Sequence, residues 1–163
     1  MNHKIEIVDY HPRYTEQTMM MWRSSKEKAL GKPEAHDLEA HRYYLNRILA
    51  ATNRIYLAIE RRTGRVLGMI AADDTFITQL YVAPGSQRQG IGSSLVHLIK
   101  ETASGDLRLY TFEVNKGARY FWEKHGFIER EIGQHDNEEG LVDILCEWHN
   151  RSAFSRTIHY AYS

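Results

Sequence analysis

The chain has little of several features that would point to a membrane, a nucleic acid or an oxidising compartment. Its 163 residues include a single cysteine, Cys146, which excludes an internal disulfide and fits a reducing cytoplasm. The formal net charge is zero, and without a basic run the chain does not match a nucleic-acid-binding protein. No apolar run approaches the roughly 18 residues of a membrane span, and the first residues lack the apolar stretch of a signal peptide. We therefore expect a cytoplasmic protein with neither a membrane nor a nucleic-acid partner.

Metal-ligand spacing is also missing from the nine histidines. His36 and His41 stand five positions apart, rather than the four that place two zinc ligands on one helix face. We therefore expect no metal. Hydrophobic residues make up 42% of the chain and charged residues 26%, which is typical of a folded domain rather than a disordered chain. The length suits one domain with a usable core.

A glycine-containing segment between a strand-like and a helical stretch is the most informative feature present. It lies between residues 77–82 and 93–103 and reads Gln87-Arg88-Gln89-Gly90-Ile91-Gly92. Glycines let a backbone approach a ligand closely, and the first N–H groups of a helix have no partner within it. With a helix dipole of roughly +0.5 charge at that end, they form a site for an anion such as a pyrophosphate. A Rossmann fingerprint does not match, because Leu95 occupies the third glycine position, and the Gly-Lys-Ser/Thr of a P-loop is absent.

Hydrophobic periodicity predicts an alternation of strands and helices. We predict strands over residues 5–8, 54–60, 66–72, 76–82, 107–112, 127–131 and 141–147. Helices are predicted over residues 14–29, from an N-cap at Asp37 onward, over 93–103, and around residues 118–125. The helix after Asp37 is predicted to have one apolar face, made of Leu38, Tyr44, Leu45, Ile48 and Leu49.

Two motifs together resemble those of the GNAT family of acyl-CoA-dependent N-acetyltransferases. The first is Gln/Arg-x-x-Gly-x-Gly/Ala, which begins at Gln87. The second is Asn-x-x-Ala-x-x-Phe-Tyr-x-x-x-Gly-Phe, which the segment from Asn115 to Phe127 matches with Trp122 in the tyrosine position. The resemblance extends from about residue 55 to about residue 147.

The resemblance implies an α/β (α+β) GNAT fold, with a central, mostly antiparallel mixed sheet of about seven strands flanked by about four helices. It also implies a V-shaped gap for acyl-CoA between the fourth and fifth strands. We expect a single acetyltransferase domain over residues 1–149. Residues 150–163 carry no clear period and are expected to be a C-terminal tail or extension.

The resemblance also implies roles for particular residues. The pantetheine arm of the cofactor is expected to pair with the strand backbone at Leu80, Tyr81 and Val82. The Val82 N–H is expected to donate to the thioester oxygen, in the manner of an oxyanion hole. Asn115 suits either a contact with the cofactor or the cap of a helix. The remaining cofactor contacts are expected from Gln87, Arg88, Gln89, Gly90, Ile91, Gly92, Ser93, Ala118 and Phe121.

Trp122 departs from the family pattern, since many members have a tyrosine there that is thought to protonate the departing thiolate. An indole N–H donates a hydrogen bond but does not usefully release a proton. Either the thiolate departs unaided, given a cysteine-like pKa of about 8.5, or catalysis is impaired. Tyr120 lies about 200° around the helix from Trp122, so we do not expect it to serve instead. We expect Trp122 to pack as a core aromatic.

An amine that is protonated at neutral pH needs a base before it can attack. Glu113 is the first candidate, with Asp73 and Asp74 as alternatives. Cys146 lies in a strand pattern, where a buried inert thiol is expected, and a nucleophilic role is the alternative. Acidic residues gather late in the chain and form either a rim that attracts a cationic amine or a solvated hairpin: Glu129, Glu131, Asp136, Glu138, Glu139 and Asp143. Either the acceptor site or the core is expected to contain Trp22, His41, Tyr43 and Tyr44.

The combined interpretation is an acetyl-CoA-dependent N-acetyltransferase that transfers the acetyl group directly to a primary amine in a ternary complex. The acceptor is a small molecule or a peptide, and a homodimer is left open. One alternative is a catalytically impaired domain that binds acyl-CoA as a sensor or assembly part. A toxin that acetylates aminoacyl-tRNA is another, against which the zero net charge counts.

Overall fold

Seven strands and seven helical segments, one of them a short 3₁₀ helix over Pro12–Tyr14, form the part of the chain that this computed structural model describes, residues 4–133 and 137–151. The strands are β1 (Ile5–Asp9), β2 (Arg54–Glu60), β3 (Val66–Ala72), β4 (Ile77–Val82), β5 (Leu107–Phe112), β6 (Ile128–Gly133) and β7 (Asp143–Trp148). The α-helices are α1 (Thr15–Leu30), α2 (Leu38–Tyr43), α3 (Ala50–Thr52), α4 (Ile91–Thr102) and α5 (Lys116–Lys124), with a π-helical segment over Tyr44–Leu49. The predicted order of strands and helices is confirmed. Asp136 and the predicted tail beyond residue 151 lie outside the described residues.

The strands form two sheets, and the division falls between β4 and β5, where the resemblance predicts the strands to part. One sheet has the order β1-β2-β3-β4 and the other β5-β7-β6. The chain groups into two compact units in a corresponding way: residues up to 73 with 78–99, and residues 74–77 with those from 100 onward. No helix of the described part is long and apolar enough to cross a membrane.

The first unit is organised around β3, whose residues are all buried. The β2–β3 hairpin turns at Gly64, which has φ of 73°. Met69 and Ala71 belong to a core cluster that includes Trp22 from α1. A Cβ built on Gly68 would lie 2.8 Å from Cγ2 of Ile91 on α4 and 3.3 Å from the carbonyl oxygen of Tyr81 on β4. Glycine is therefore required here so that α4 and β4 can approach the β3 backbone closely.

The helices of the first unit have the caps that the sequence predicts. Gly31 ends α1 in a left-handed conformation, and the Asp37 side chain accepts a hydrogen bond from the Ala40 N–H at the start of α2. The predicted apolar face of the second helix is partly wrong. Leu45 and Leu49 are buried, but Leu38 and Ile48 are exposed.

The π-helical segment supplies the physical reason for that difference. At its end the Ala50 N–H donates to the Leu45 carbonyl, five residues back rather than four. Each such bond widens the turn, so residues spaced for a 3.6-residue helix rotate off the common face.

Within the π-helical segment, the side chain of Asn46 accepts a hydrogen bond of 2.6 Å from the Tyr10 hydroxyl, which fixes its position.

The second unit is built on β7, which lies between β5 and β6 and is antiparallel to both. Three strands, β4, β6 and β7, begin later than predicted. The backbone of Phe76 forms an isolated parallel bridge with Arg108, outside the β4 ladder, so β4 begins at the next residue. Phe127 is tied by its N–H to the Trp122 carbonyl at 3.0 Å, so β6 begins after it. β7 begins at residue 143 because the Leu141 N–H and carbonyl both bond the Asn137 side chain.

Candidate functional site

The edge strand β4 presents two of the three residues whose backbone groups are predicted to meet the cofactor arm. Leu80, Tyr81 and Val82 are half-buried, and β4 lies at the end of its sheet. The Ala83 N–H, just after the strand, donates to the Leu67 carbonyl of β3 at 2.8 Å. Because backbone groups of successive strand residues point to opposite edges, Leu80 and Val82 direct theirs away from β3. Tyr81 directs its backbone toward β3, and its side chain contacts Trp22.

The loop between β4 and α4 contains two left-handed residues. Arg88 has φ of 64° and Gly90 has φ of 79°. This conformation is uncommon for a residue other than glycine, and strained backbone is concentrated at functional sites. Ser94 donates to the Gly90 carbonyl from its N–H at 3.0 Å and from its hydroxyl at 2.9 Å, which anchors α4 on the loop.

The loop is open to solvent on the side where an anion is predicted. Residues 87–90 are exposed, whereas Ile91 is buried and holds the start of α4. Within the described part of the chain, a Cβ on Gly90 would meet no atom within 4 Å. The first-turn N–H groups of α4 and the positive end of its dipole face this region, and Arg88 adds a formal charge. The predicted residues Gln87 to Ser93 therefore form one continuous segment suited to an anion.

The second motif begins with a side-chain cap. Oδ1 of Asn115 accepts a hydrogen bond from the Ala118 N–H at 3.1 Å, and the Asn115 carbonyl accepts one from the Arg119 N–H at 3.1 Å. The capping role that the position of Asn115 suits is therefore present. Contacts of Asn115, Ala118 and Phe121 with a cofactor stay predictions.

Trp122 packs as a core aromatic, as expected. It is only 7% exposed, and its ring meets those of Phe121 and Phe127 at centroid distances of 5.0 and 5.1 Å, edge to face. Tyr120 is 70% exposed on the other side of α5. An indole has no proton that it can usefully release. The position at which the resemblance implies a tyrosine acid is therefore occupied by a side chain of the core.

Glu113 follows β5 and is exposed. Its N–H donates to the Val142 carbonyl at 2.9 Å, and its carbonyl accepts from the Arg119 guanidinium at 3.3 Å. The alternative bases differ in exposure: Asp73 is half-buried and Asp74 is exposed. The Glu113 backbone is thus anchored by these bonds, while its side chain is open to solvent and its charge helps to raise the pKa of the Arg119 guanidinium.

The late acidic residues, for which the sequence left open either a rim that attracts an amine or a solvated hairpin, do not all lie at the surface. Asp143 is buried, and its carboxylate accepts a hydrogen bond from the Asn137 amide at 3.1 Å. Glu129 accepts two hydrogen bonds from Arg119, at 2.9 and 3.1 Å, which lower the pKa of its carboxyl and offset its charge. The carboxylates of Asp143 and Glu129 thus have hydrogen-bond donors within the second unit, which weakens the case for an acidic surface that attracts an amine.

Cys146 has the character of an inert thiol. It is buried, and burial, with the nearby Glu129 carboxylate, raises its pKa to about 11. The thiol is therefore protonated at neutral pH and is a poor nucleophile. No group of three or more His, Cys, Asp or Glu side chains suited to a metal occurs within residues 4–133 and 137–151.

A buried polar cluster on α1 and α2 contains Trp22 and His41, whose pocket role the sequence left open. The two rings meet at right angles with centroids 4.4 Å apart, and Trp22 also stacks on Tyr81 of β4 at 5.3 Å. Tyr44 lies against the same indole at 6.1 Å, whereas Tyr43 is exposed. Burial lowers the pKa of His41 from 6.5 to about 4. Sequence reasoning missed Arg23 and Thr18, although Thr18 and Trp22 are spaced to share one face of α1.

The chain is similar to known proteins over most of its length. The family model for the GNAT acetyltransferase family matches residues 17–127, which is well over half of the chain. No curated protein sequence matches.

Several solved structures share the fold. A GCN5-related N-acetyltransferase from Rhodopseudomonas palustris is 17% identical, with a TM-score of 0.72 over 91% of this chain and 98% of the other. The PaiA N-acetyltransferase from Thermoplasma acidophilum, in complex with coenzyme A, is 19% identical, with a TM-score of 0.65 over 91% and 99%. YncA from Salmonella typhimurium, with acetyl-CoA, is 13% identical, with a TM-score of 0.70 over 90% and 94%. The chain belongs to the GNAT acetyltransferase family.

Proposed function

We propose that the protein is an acetyl-CoA-dependent N-acetyltransferase that acetylates a primary amine directly, in a ternary complex. The observation that carries the proposal is the continuity of β4, its following loop and α4. An outward-facing Val82 backbone, a left-handed Arg88 and an open Gly90 follow one another along that segment. A single cytoplasmic domain over residues 1–149 belongs to the same proposal.

The residues have distinct roles in this proposal. The N–H groups at the start of α4 hold the pyrophosphate, and the Leu80 and Val82 backbones pair with the pantetheine arm. The Val82 N–H donates to the thioester oxygen as negative charge develops there, which is worth about 3–4 kcal/mol in comparable sites. Asn115, Ala118 and Phe121 supply further cofactor contacts.

The chemical balance needs one base and no added acid. The amine nitrogen attacks the thioester carbonyl carbon, the C–S bond breaks, and the sulfur leaves as a thiolate. Glu113 takes the proton that the ammonium group must lose before its nitrogen can attack, and the second N–H proton, lost from the tetrahedral adduct, passes through solvent to the departing thiolate. The thiol has a cysteine-like pKa of about 8.5, so its thiolate can leave without the acid that Trp122 does not supply.

The experiment that tests this function is acetyl-CoA-dependent thiol release against a broad panel of amines, with a no-amine control that subtracts hydrolysis. Amine-dependent release and a mass gain of one acetyl group on the amine are expected. Binding of acetyl-CoA without release by any small amine or peptide would contradict the proposal.

A second candidate function is an acyl-CoA sensor or assembly domain, which the buried Trp122 favours because no acid replaces the family's tyrosine. This candidate predicts tight acetyl-CoA binding without turnover. The Trp122→Tyr variant separates the two: a large gain in turnover would indicate a domain that had lost catalysis, and a small change would indicate an enzyme that does not need the acid.

A further inference from the structure

Three buried polar atoms lack a hydrogen-bond partner in the described part of the chain. They are Oγ1 of Thr18, Nε1 of Trp22 and Nε2 of His41. Their residues are 0%, 4% and 5% exposed, respectively. A buried polar group without a partner costs about 1–3 kcal/mol, and native proteins leave few of them. Three such atoms on the neighbouring helices α1 and α2 indicate that they form hydrogen bonds with a bound ligand.

The neighbour of His41 determines which of its nitrogens carries the proton. A guanidinium nitrogen of Arg23 lies 3.4 Å from Nδ1 of His41. Arginine can only donate, so Nδ1 accepts and the proton of a neutral imidazole lies on Nε2. Burial keeps the imidazole neutral at pH 7, with its pKa lowered to about 4. Nε2 of His41 is therefore an uncharged N–H donor.

Two donors then define what the site can hold. The Trp22 indole has an N–H and no acceptor, and the His41 Nε2 is also a donor. An ammonium group has three donors and no acceptor, so neither nitrogen can hold the reacting amine in its protonated form. Both can hold an oxygen. The two rings are in contact, with centroids 4.4 Å apart, so the two nitrogens belong to one buried cluster.

The surrounding charges favour an oxygen with negative charge. Arg23, Lys26 and Glu34 all act on His41. Lys26 and Glu34 form an ion pair at 3.4 Å and offset each other. The Arg23 guanidinium also donates to the His36 carbonyl at 2.8 Å, which is a neutral partner. The positive charge of Arg23 is thus left to attract an anionic group.

The cluster also adjoins the strand proposed to hold the cofactor arm. The Trp22 indole stacks on the Tyr81 ring, and Tyr81 lies between Leu80 and Val82 on β4. We infer that Trp22 and His41 bind a carboxylate of the acceptor, so that the substrate is an amine of the amino-acid class rather than a simple amine or polyamine. The inference rests on the proposed acetyltransferase function, because only that function makes the bound carboxylate part of an acceptor.

A kinetic experiment with matched acceptors tests the substrate class. Each amino acid of a panel is compared with its decarboxylated amine, for example lysine with cadaverine. The intact enzyme is expected to favour the best amino acid about tenfold or more in kcat/KM, since hydrogen bonds to a charged group are at stake. Trp22→Phe, which keeps the ring and removes the N–H, should abolish that preference through KM, while Trp148→Phe should retain it.

His41 has its own rescue variant. Gln offers an amide N–H in place of Nε2–H, so His41→Gln should keep part of the preference, whereas His41→Leu should lose it. If amines are acetylated without regard to the carboxylate, the inference is overturned and the proposed function stands.

A binding measurement keeps the inference testable without turnover. The indole N–H resonance of Trp22, assigned through its loss in Trp22→Phe, is followed by NMR while the amino acids and their decarboxylated amines are added. A shift with amino acids alone is expected. An unmoved resonance would overturn the inference, and it is the result expected if the imidazole N–H rests on the indole face instead. If no amine releases thiol but the resonance still shifts, the proposed function fails and the carboxylate site stands.

Discussion

The indole ring of Trp22 stacks on the phenol ring of Tyr81, with centroids 5.3 Å apart and planes inclined by 21°. Trp22 lies on α1 and Tyr81 on β4, between the two residues whose backbones face the outer edge of the sheet. This contact joins the proposed carboxylate site to β4, the strand whose Val82 N–H is proposed to donate to the thioester oxygen. Because protein interiors are close-packed and transmit strain, the position of α1 and that of β4 depend on each other.

The close approach at Gly68 makes the packing of β3 testable. In Gly68→Ala, the added Cβ would lie 2.8 Å from Cγ2 of Ile91 and 3.3 Å from the Tyr81 carbonyl oxygen. We expect the free energy of unfolding in urea to fall by about 1–3 kcal/mol, as overpacking does. Gly105→Ala is the matched control, since no described atom lies within 4 Å of its added Cβ, and it should change stability by less than about 0.5 kcal/mol. Equal stability of the two variants would contradict the packing.

The open space at Gly90 allows the anion site to be tested with two side chains of the same shape that differ only in charge. Gly90→Asp places a carboxylate where the pyrophosphate is proposed to lie, and Gly90→Asn adds the same shape without the charge. Two like unit charges about 4 Å apart near a protein surface repel by about 4 kcal/mol, so Asp should weaken coenzyme A binding about a hundredfold or more relative to Asn. Calorimetric titration measures both dissociation constants. The difference should shrink at high salt, and equal affinities would remove the loop from the cofactor site.

The pKa of His41 predicts a pH dependence of stability. Burial lowers that pKa from 6.5 to about 4, so the unfolded chain takes up the proton first as the pH falls. The stability that the neutral His41 imidazole contributes to the folded state is therefore fully present above pH 6.5 and is lost progressively toward pH 4. The difference in urea midpoint between the wild type and His41→Gln should shrink over that window. A constant difference would show that the imidazole is not buried as a neutral group.

Cys146 is predicted to take no part in catalysis. Its pKa is raised from 9.0 to about 11 by burial, so at pH 8 the folded protein should react with a thiol reagent about a hundredfold more slowly than the unfolded chain. Cys146→Ala should retain amine-dependent thiol release. An acetyl group trapped on Cys146 after reaction with acetyl-CoA alone would overturn this prediction.

Much of the fold follows from sequence period and turn chemistry. β2 and β3 begin and end at the predicted residues, because two apolar runs flank one turn and Gly64 supplies its left-handed conformation. Gly31 and Asp37 mark a helix end and a helix start for equally local reasons. In each case the deciding interaction lies within a few residues of the chain.

The candidate site depends on contacts that no local pattern reports. The exposure of Ile48 follows from π-helical hydrogen bonding, which a 3.6-residue pattern does not anticipate. Asp143 is buried because the Asn137 amide bonds it across a turn. The burial of His41 against Trp22 joins two helices, so the sequence alone cannot separate a pocket histidine from a core one.

The pH–rate profile of Glu113→Gln tests the proposed base. Below the pKa of the amine, the acceptor is protonated and the enzyme must remove a proton, so the variant should lose turnover most in that range. A loss of about 10²–10⁴-fold is expected from the removal of general-base help, and it should diminish as the pH approaches the pKa of the amine. Glu123→Gln makes the same change of charge at an exposed position of α5 and should leave the profile unchanged. If Glu113→Gln retains the wild-type profile, Asp73→Asn and Asp74→Asn become the next variants, because those carboxylates are then the remaining candidates.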